Sequence, residues 1–283
     1  MRIGLVGIES DHAEDALRLF NREKRWPGYE VMALWGAEPD AARAQRLASE
    51  YGVGIVASEP AAMVDEVDAV IVGARDAGLH AAHALPYLNR GMPVFVDKPL
   101  ALSVIDVEAM LDAAEASGAL LLSGSALRWQ TDTVALKAQA AACGRVEKVV
   151  ATGTFYPDSP YGGPAFYAVH AVELALEFAG QGIADIVVVE AGEAAMTITG
   201  RGRLAAVEIR LVRPAEGRPS RFAVELEGQG GRASGVIALP DDYMAPVYEQ
   251  FVGMTARGVA PLGRRELLAP VRVLEIINAA RLG

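Results

Sequence analysis

The sequence predicts an α/β protein whose first half forms a doubly wound parallel sheet and whose second half forms another α/β layer. Short, almost wholly apolar runs alternate with helical stretches from the N-terminus to about residue 123. Such runs are typical of parallel strands that helices cover on both faces. Strand-like runs dominate residues 184–240. A chain of 283 residues, 52% of them hydrophobic, is long enough for two cores.

Six strands and four helices are predicted in the first half. Three of the helices are followed by glycines that suit a C-terminal cap, and Pro86 is expected to kink the third helix. Ser103 begins the fourth helix, and Asp106 is its capping-box partner three residues on. The predicted strands span residues 2–7, 29–35, 54–56, 67–73, 93–96 and 119–123, and the predicted helices span residues 12–21, 40–51, 78–89 and 103–117.

The second half begins with a long strand and a helix, and five strand-like runs and two helices follow. Residues 203–212 and 220–227 partly alternate apolar with polar side chains, as expected for a sheet with one covered face. We therefore predict a first domain over residues 1–122 and a second over residues 123–283. The predicted strands span residues 146–156, 184–192, 195–200, 203–212, 221–228 and 233–240, and the predicted helices span residues 167–179, 245–256 and 265–281.

Charge and composition exclude several classes of protein. The net charge is −10 and no basic residues cluster, which argues against nucleic acid as a partner. No apolar run approaches the ~20 residues that span a bilayer. The N-terminus has the pattern of a strand and not of a signal peptide, so we expect no membrane partner. The single cysteine, Cys143, excludes an internal disulfide and fits a reducing, cytoplasmic compartment.

The turn after the first strand is where a dinucleotide-binding sheet carries its Gly-x-Gly-x-x-Gly fingerprint. Here the turn runs from Gly7 through Ile8 to His12, with Glu9 and His12 at the second and third glycine positions. A side chain at the second position hinders the approach of backbone to a pyrophosphate, and the carboxylates of Glu9 and Asp11 repel it. The turn alone therefore counts partly against cofactor binding. Ser10 and the backbone amides could still hold a pyrophosphate if the acids turn outward.

An acid after the second strand supports a cofactor role for this sheet. Glu38 lies 31 residues beyond Gly7, and the insert 21–28 accounts for the long spacing. An acid here can bind the ribose hydroxyls of NAD(H) and repel the extra phosphate of NADP(H). Glu38 could equally be a helix-initiating acid ahead of Asp40. If a cofactor binds, the sequence favours NAD(H) over NADP(H).

The most informative segment is 94–102, in which an apolar strand ends in Asp97, Lys98 and Pro99. Open α/β sheets place their ligands at the carboxyl ends of the strands. Proline bars the strand from continuing, so the ammonium of Lys98 is expected at the edge of the sheet. Taken alone, the segment also fits an ordinary turn with a solvated lysine.

These features, in this order, resemble the glucose–fructose oxidoreductase / inositol dehydrogenase (Gfo/Idh/MocA) family over residues 1 to about 129. The resemblance rests on the strand 68–73 followed by His80, then on GMPVFVDKPLALS and ASGALLLSGSALRW. The family's Glu-Lys-Pro motif appears as Asp97-Lys98-Pro99, and its arginine after the sixth strand appears as Arg128. The resemblance implies an N-terminal nicotinamide-binding Rossmann domain and a C-terminal α/β domain with an open, mostly antiparallel sheet. It also implies a homo-oligomer, dimer or tetramer, that uses the outer face of that sheet.

The resemblance gives the second half a catalytic candidate, His170, on the helix 167–179. Family members place a histidine on this helix, where an imidazole can exchange a proton with a hydroxyl as hydride leaves the same carbon. Lys98 would stabilise the alkoxide or relay the proton. Without the family match, His170 would be interpreted as a core or helix-surface histidine. The cofactor-binding candidates are Gly7, Ile8, Glu9, Ser10, His12, Glu38, Gly73, His80, Asp97 and Lys98, and the substrate-binding candidates are Arg128, Tyr156, Tyr161, Tyr167 and His170.

The chain also departs from the family pattern. The sugar and inositol dehydrogenases usually carry an aspartate four residues before this histidine, one helical turn away on the same face. Here that position is Phe166, so the His–Asp proton relay is expected to be broken. The polar residues left nearby are Tyr156, Tyr161, Tyr167 and Glu173. The Pro-Asn that usually follows the fourth strand is replaced by Arg75-Asp76.

Other chemistries have weaker support. His80 and His83 lie three apart on one helix, but no third ligand is evident, so we predict no metal site. Ser123-Gly124-Ser125 lacks the Gly-x-Ser-x-Gly pattern of a hydrolase nucleophile. Arg128 could grip a substrate carboxylate or a cofactor phosphate, or it could form a surface ion pair.

Two hypotheses follow from these residues. The first is an NAD(P)-dependent oxidoreductase that transfers hydride between nicotinamide and a small hydroxylated substrate, such as a sugar or polyol derivative. The second is a non-catalytic ligand-binding or regulatory protein that retains the fold. The altered glycine turn and the absent aspartate motivate the second.

Overall fold

A computed structural model describes residues 1–37 and 40–280 and divides the chain into two compact units. The first unit comprises Met1–Ala101, Ile105–Ser123 and Met244–Leu262. The second comprises Leu102–Val104, Gly124–Tyr243 and the segment that begins at Gly263. Each unit contains one six-stranded sheet in the described part of the chain.

The first unit is built on a parallel sheet with the strand order β3-β2-β1-β4-β5-β6. This arrangement confirms the predicted doubly wound fold. All four residues of β4 are buried, as expected for a central strand covered on both faces. Its strands are β1 (Arg2–Val6), β2 (Glu30–Trp35), β3 (Ile55–Val56), β4 (Ala69–Val72), β5 (Val94–Val96) and β6 (Leu121–Ser123).

Helices connect these strands close to the positions that the sequence predicts. The first helix passes into a π-helical turn over Arg18–Arg22, and Pro86 lies inside the third. Short 3-10 helices at Pro60–Met63 and Ala77–Leu79 precede the third helix. The helices are α1 (Asp11–Leu17), α2 (Ala41–Tyr51), α3 (His80–Leu88) and α4 (Val104–Ser117).

The second unit carries a mixed sheet with the strand order β12-β11-β7-β10-β9-β8. Its neighbouring strands are antiparallel except for β7 and β10, which confirms the mostly antiparallel sheet that the family resemblance implies. Its strands are β7 (Val146–Thr154), β8 (Ile183–Ala191), β9 (Ala195–Gly202), β10 (Ala206–Val212), β11 (Phe222–Gly228) and β12 (Gly231–Ile237).

Helices cover one face of this second sheet. The most deeply buried is α6 (Ala165–Ala179), whose alanine-rich surface packs with apolar residues of β7, β9 and β10 in one core. Helix α8 (Arg264–Ala280) adds Val273, Leu274 and Ile277 to that core. The unit also contains a 3-10 helix at Ala126–Trp129 and the helix α5 (Thr131–Ala142), which sequence analysis did not predict.

The domain division differs from the single predicted boundary after residue 122. Helix α7 (Ala245–Arg257), which the sequence assigns to the second domain, belongs to the first unit. Its aromatic side chains explain this: Tyr248 meets Phe20 and Phe95, with ring centroids 5.6 and 5.7 Å away, and Phe251 also packs on Phe95. Helix α7, although it follows the second sheet in the sequence, therefore completes the core of the first unit. In the described residues no helix is both long and apolar enough to span a bilayer.

Candidate active site

The carboxyl ends of the central parallel strands lie side by side, which brings distant sequence motifs to one edge of the first sheet. Val6 of β1 pairs with Val72 of β4, and Val72 pairs with Val96 of β5. The residues that follow these strands are Gly7, Gly73 and Asp97. Three predicted cofactor-binding segments therefore share one edge, where doubly wound sheets bind their ligands.

Gly7 retains the role of the first fingerprint glycine. Its φ is +86°, in the left-handed region that side chains rarely adopt. A Cβ on Gly7 would lie 2.4 Å from the amide nitrogen of Ala74. The turn after β1 and the loop after β4 therefore touch backbone to backbone, and only glycine fits there.

Two other residues of the turn are used inside the fold. The Ile8 side chain is fully buried and packs at Gly36, where a Cβ would lie 2.7 Å from its Cδ1. The Ile8 carbonyl accepts a hydrogen bond from Arg43 Nε at 2.9 Å. The Ser10 hydroxyl donates to the Gly73 carbonyl at 3.4 Å. The Ile8 side chain is thus a core residue and not a cofactor contact, because its branched chain fills the space beside Gly36.

His12, at the third glycine position, forms a buried pair with Asp97. His12 Nδ1 lies 2.7 Å from Asp97 Oδ2, and both side chains are largely buried. The hydroxyl of Tyr248 donates to the His12 carbonyl at 2.8 Å, so α7 supports this turn. Burial by itself would raise the pKa of Asp97, but the positive charges of His12 and Lys98 and the hydrogen bonds from both residues outweigh it. The pKa of Asp97 is therefore held well below its usual range, and the carboxylate is ionised at neutral pH.

Lys98 is buried, with 8% of its surface exposed, at the end of β5. The alternative prediction for this segment, an ordinary turn with a solvated lysine, is therefore wrong. Burying an ammonium costs free energy unless a charge partner is near, and the adjacent Asp97 carboxylate provides one. Asp97 and Lys98 therefore lie next to each other at the edge of the sheet where such folds bind their ligands.

His80 is not available to a cofactor or a metal. Its ring is 1% exposed. Nδ1 lies 2.9 Å from the Pro99 carbonyl, and Nε2 lies 2.8 Å from the Ala74 carbonyl. The prediction that His80 contacts the cofactor is therefore wrong, because both ring nitrogens tie together the loops after β4 and β5. Among the described residues no group of three or more metal-binding side chains could hold an ion.

The second unit has its own buried histidine. His170, on α6, is 6% exposed. Its Nδ1 lies 2.7 Å from the hydroxyl oxygen of Ser125, a residue that is completely buried. Ser125 begins the 3-10 helix Ala126–Trp129, and its hydroxyl oxygen accepts a hydrogen bond from the amide of Leu127 at 3.2 Å. Sequence reasoning missed this partner, because it weighed Ser123-Gly124-Ser125 only as a nucleophile motif.

Aromatic side chains surround His170 and include three predicted substrate residues. The His170 ring meets Tyr167 and Phe222 at centroid distances of 5.2 and 5.1 Å. Tyr156 meets Tyr167 edge-on at 5.0 Å. Phe166, which stands where family members carry aspartate, packs on Tyr161 and Tyr167 at 5.4 and 5.7 Å. The structure thus brings Tyr156, Tyr161, Tyr167 and His170 into one cluster.

Arg128 lies inside the second unit and forms a buried charge network. Its Nη1 lies 3.3 Å from Glu173 Oε2, and its Nη2 pairs with Glu177, which also pairs with Lys137. The side chains of Arg128 and Glu173 are 3% and 4% exposed. The sequence suggested a surface ion pair as one possibility for Arg128. The ion pair exists but is buried, and two carboxylates already bind the Arg128 guanidinium.

Glu173 links this network to the histidine. It accepts the Ser125 amide hydrogen at 2.9 Å, and Gly124 leaves room for it, because a Cβ there would lie 3.1 Å from Glu173 Oε2. Burial raises the pKa of the Glu173 carboxyl, and the positive charge of Arg128 with the Ser125 hydrogen bond offsets only part of the rise. Ser125 is therefore fixed through its backbone as well as through its hydroxyl.

Two unpartnered acceptors test whether a nicotinamide dinucleotide fits the first unit. Among the described residues, Glu9 Oε2 and Asp97 Oδ1 are buried and have no hydrogen-bond partner. An ionised carboxylate only accepts hydrogen bonds, so both oxygens need donors. Ribose hydroxyls and the nicotinamide carboxamide supply donors, whereas a phosphate does not. The residues therefore fit the sugar and amide parts of such a cofactor. Glu38 lies outside the described residues.

Residues 1–125 match a family model described as "Oxidoreductase family, NAD-binding Rossmann fold" (Gfo/Idh/MocA). A protein of Amycolatopsis mediterranei (strain S699), named "Putative UDP-kanosamine synthase oxidoreductase subunit", is 32% identical to this chain over 150 residues. That match covers 49% of this chain and 41% of the relative, so the chain spans less than half the length of the curated relative it matches.

Two solved structures share the fold over nearly the whole chain. Scyllo-inositol dehydrogenase from Lactobacillus casei with bound NAD(H) and scyllo-inositol superimposes with a TM-score of 0.82 at 15% identity, covering 97% of this chain and 94% of that one. GenD2 from gentamicin A biosynthesis, in complex with NAD, gives 0.84 at 19% identity, covering 99% and 94%. At these identities the likeness shows the fold alone. Residues 1–125 of the chain are therefore similar to the Gfo/Idh/MocA family of oxidoreductases with an NAD-binding Rossmann fold.

Proposed function

We propose that this protein is an NAD(P)-dependent oxidoreductase that transfers hydride between nicotinamide and a small hydroxylated substrate of the sugar or polyol kind. The observation that carries the proposal is the buried Lys98 at the end of β5, inside the segment that matches an NAD-binding oxidoreductase family. The nicotinamide, when bound, supplies or accepts the hydride. The described side chains Glu9 and Asp97 offer acceptors to its sugar and amide groups.

Lys98 and His170 are proposed to manage the proton on the substrate oxygen. An ammonium group beside that oxygen stabilises an alkoxide and can give up a proton to it. An imidazole hydrogen-bonds the same kind of oxygen through whichever ring nitrogen faces it. The buried state of both side chains strengthens such interactions, because the dielectric response around them is weak.

The tyrosines near His170 suit a hydroxylated substrate. Tyr156, Tyr161 and Tyr167 each combine a flat apolar ring with a hydroxyl that donates and accepts hydrogen bonds. A polyol presents the same mixture of apolar ring faces and hydroxyl groups. One solved neighbour holds scyllo-inositol together with NAD(H). Arg128 is proposed to support this site from within the network and not to bind substrate directly.

NAD(H) is proposed as the cofactor in preference to NADP(H). An arginine after the second strand with no other charge partner would bind the extra phosphate of NADP(H). Arg43 on α2 instead binds the Ile8 carbonyl, and its Nη2 lies 2.8 Å from Glu14 Oε1, so its charge is already paired. Glu38 follows the second strand in the sequence, and its negative charge would repel the extra phosphate of NADP(H).

Self-association is proposed to use the outer face of the second sheet. Val187 and Val189 of β8 are 55% and 63% exposed, and they point away from the core because Val188 between them packs against it. Val212 of β10 and Val236 of β12 are also exposed. Light scattering coupled to size exclusion tests this proposal, and a monomeric Val189→Lys variant from an oligomeric parent is the expected result.

Titration calorimetry with NADH and NADPH tests the proposed function. We expect saturable binding of NADH that is tighter than that of NADPH. The absence of binding by either at millimolar concentration overturns the proposal. Lys98→Gln should remove turnover with any substrate that is found, while Lys24→Gln, which removes an exposed ammonium, is the matched control. Turnover that survives in both Lys98→Gln and His170→Gln would show that other residues carry the chemistry.

A further inference from the structure

The hydrogen bonds of the Ser125 hydroxyl determine which ring nitrogen of His170 carries the hydrogen. A serine hydroxyl has one hydrogen to donate and two lone pairs that accept. One lone pair accepts a hydrogen bond from the Leu127 amide, whose nitrogen lies 3.2 Å from Ser125 Oγ. His170 Nδ1, at 2.7 Å, is the other partner of this oxygen.

The direction of the hydrogen bond follows from counting donors and acceptors. If Nδ1 carried a hydrogen and donated it, the hydroxyl hydrogen would need an acceptor elsewhere. Ser125 is 0% exposed, so water does not provide one, and within the described residues its hydroxyl contacts no other acceptor. A buried hydroxyl left without an acceptor is destabilising, because it has given up its hydrogen bond to water. The hydroxyl therefore donates to Nδ1, and a neutral ring holds its hydrogen on Nε2.

We infer that Ser125 is a positioning residue that sets His170 in the Nε2–H form, so that His170 meets the substrate oxygen as a hydrogen-bond donor. This inference rests on the proposed function for its consequence, though not for its geometry. When a carbonyl substrate is reduced, a bound reduced nicotinamide would supply hydride to the carbonyl carbon and would itself be oxidised. The carbonyl oxygen takes the negative charge, which Nε2–H stabilises, and Lys98 supplies the proton that completes the alcohol.

The backbone around Ser125 is held as firmly as its side chain. Its amide donates to Glu173 Oε2 at 2.9 Å, and Glu173 is held in turn by Arg128. Phe222 and Tyr167 pack on the His170 ring, which limits its rotation about χ2. A fixed hydroxyl beside a fixed ring keeps one tautomer.

An aspartate in the same role would have the opposite effect. A carboxylate only accepts, so it places the hydrogen on the imidazole nitrogen that faces it and leaves the other nitrogen as a base. In this chain the expected aspartate position is Phe166, which packs on tyrosines. The exchange of a carboxylate for a hydroxyl thus converts the histidine from a proton acceptor to a hydrogen-bond donor.

The Ser125–His170 pair is not a hydrolase nucleophile. A catalytic serine gives its proton to a histidine that a third group orients, and its oxygen must be reachable by substrate. Ser125 is fully buried, and Glu173 binds the serine amide instead of the imidazole. The pair therefore orients the ring and does not attack a substrate.

Nitrogen-15 spectra of the imidazoles in the full chain without cofactor test the inference. The sequence contains four histidines, so His170→Gln identifies the His170 signals by their loss. At alkaline pH, where imidazoles are neutral, we expect His170 to show a protonated Nε2 and an unprotonated Nδ1. If the wild-type protein shows a protonated Nδ1, or equal populations of the two forms, the inference is overturned without any variant of Ser125.

Variants sharpen the same measurement. Ser125→Ala should raise the Nδ1–H population relative to Nε2–H by about tenfold, because the donor to Nδ1 is lost. Ser125→Thr retains a hydroxyl and should restore the wild-type pattern. Ser234→Ala, an exposed serine on β12, should leave the spectrum unchanged. An unchanged ratio in a folded Ser125→Ala variant contradicts the role of the serine.

Because no cofactor is present, this result is independent of the proposed function. If NADH fails to bind while His170 shows Nε2–H, the oxidoreductase proposal fails and the positioning role stands. If NADH binds and His170 shows Nδ1–H, the reverse holds.

Discussion

The two units each hold a largely buried histidine whose Nδ1 lies 2.7 Å from an oxygen, but the two oxygens differ in chemistry. His12 faces the ionised carboxylate of Asp97, which can only accept, so His12 must carry a hydrogen on Nδ1. His170 faces the hydroxyl of Ser125, which donates to it. The comparison teaches that the partner and not the histidine decides which ring nitrogen offers a hydrogen.

The surroundings of the two pairs differ as well. The Asp97 carboxylate is ionised, because its interactions with His12 and Lys98 outweigh the effect of burial on its pKa. The Ser125 pair contains no carboxylate, and the network of Glu173 and Arg128 holds its serine through the amide. The first pair should therefore respond to pH and charge, and the second to the integrity of the buried network.

Removing Arg128 should have the largest effect, because it leaves the buried Glu173 carboxylate without its charge partner and leaves Glu177 with Lys137 alone. We expect Arg128→Met to lower the free energy of unfolding by about 3–5 kcal/mol, measured by urea denaturation. Arg232→Met is the matched control, since Arg232 forms an exposed pair with Glu227, and water screens such a pair so that its loss should change stability little. Equal losses in the two variants would show that the network does not support the His170 site.

Replacing Asp97 tests the charged pair. Asp97→Asn retains the shape but removes the ionised acceptor, and the expected loss is about 2 kcal/mol at neutral pH. The pKa of Asp97 is lowered by folding, so its contribution to stability is present above the unfolded-state pKa of ~3.9 and is lost as the pH falls through the folded-state value. The gap between wild type and Asp97→Asn should therefore close in acid. A gap that is independent of pH would contradict the charged pair.

Ser125→Ala should cost less than Asp97→Asn, about 1 kcal/mol, because a neutral hydrogen bond is lost. Its cost should not follow the acid titration through which Asp97 loses its contribution, because Ser125 has no carboxylate partner on its hydroxyl. The same urea titrations measure both variants. A Ser125→Ala penalty that closes in acid as the Asp97 penalty does would mean that a charge, and not a hydroxyl, orders the second site.

The smallest predicted change concerns the first turn. Glu9→Gln should weaken NADH binding by about three- to fivefold, because it removes the ionised acceptor that the buried Glu9 oxygen offers to the cofactor. Glu9→Gly also removes the bulk of the side chain and separates the two effects. Unchanged or tighter binding in both variants would mean that Glu9 accepts no hydrogen bond from the cofactor.

Much of the fold could be predicted from the sequence, because apolar runs of buried parallel strands and the glycines that end helices are local signals. The position of Lys98 at a strand end followed from its neighbours. The position of α7 did not, because its packing on Phe95 joins residues far apart in the chain. Helix α5 escaped notice since only Thr133 and Leu136 on it are buried.

The partners in the candidate site were the least predictable part. Asp97 and His12 are 85 residues apart, and Ser125 and His170 are 45 apart. No local pattern marks either pair, because each depends on how strands and helices pack. Arg128 shows the same limit: its residue type suggested anion binding, but only the fold reveals that two carboxylates already hold it.

One nitrogen-15 spectrum of the imidazoles at alkaline pH distinguishes the two pairs, because it reports on both histidines at once. Variants of His12 and His170 assign the signals. We expect hydrogen on Nδ1 of His12 and on Nε2 of His170. The same tautomer at both residues would mean that the partner oxygen does not decide which nitrogen carries the hydrogen.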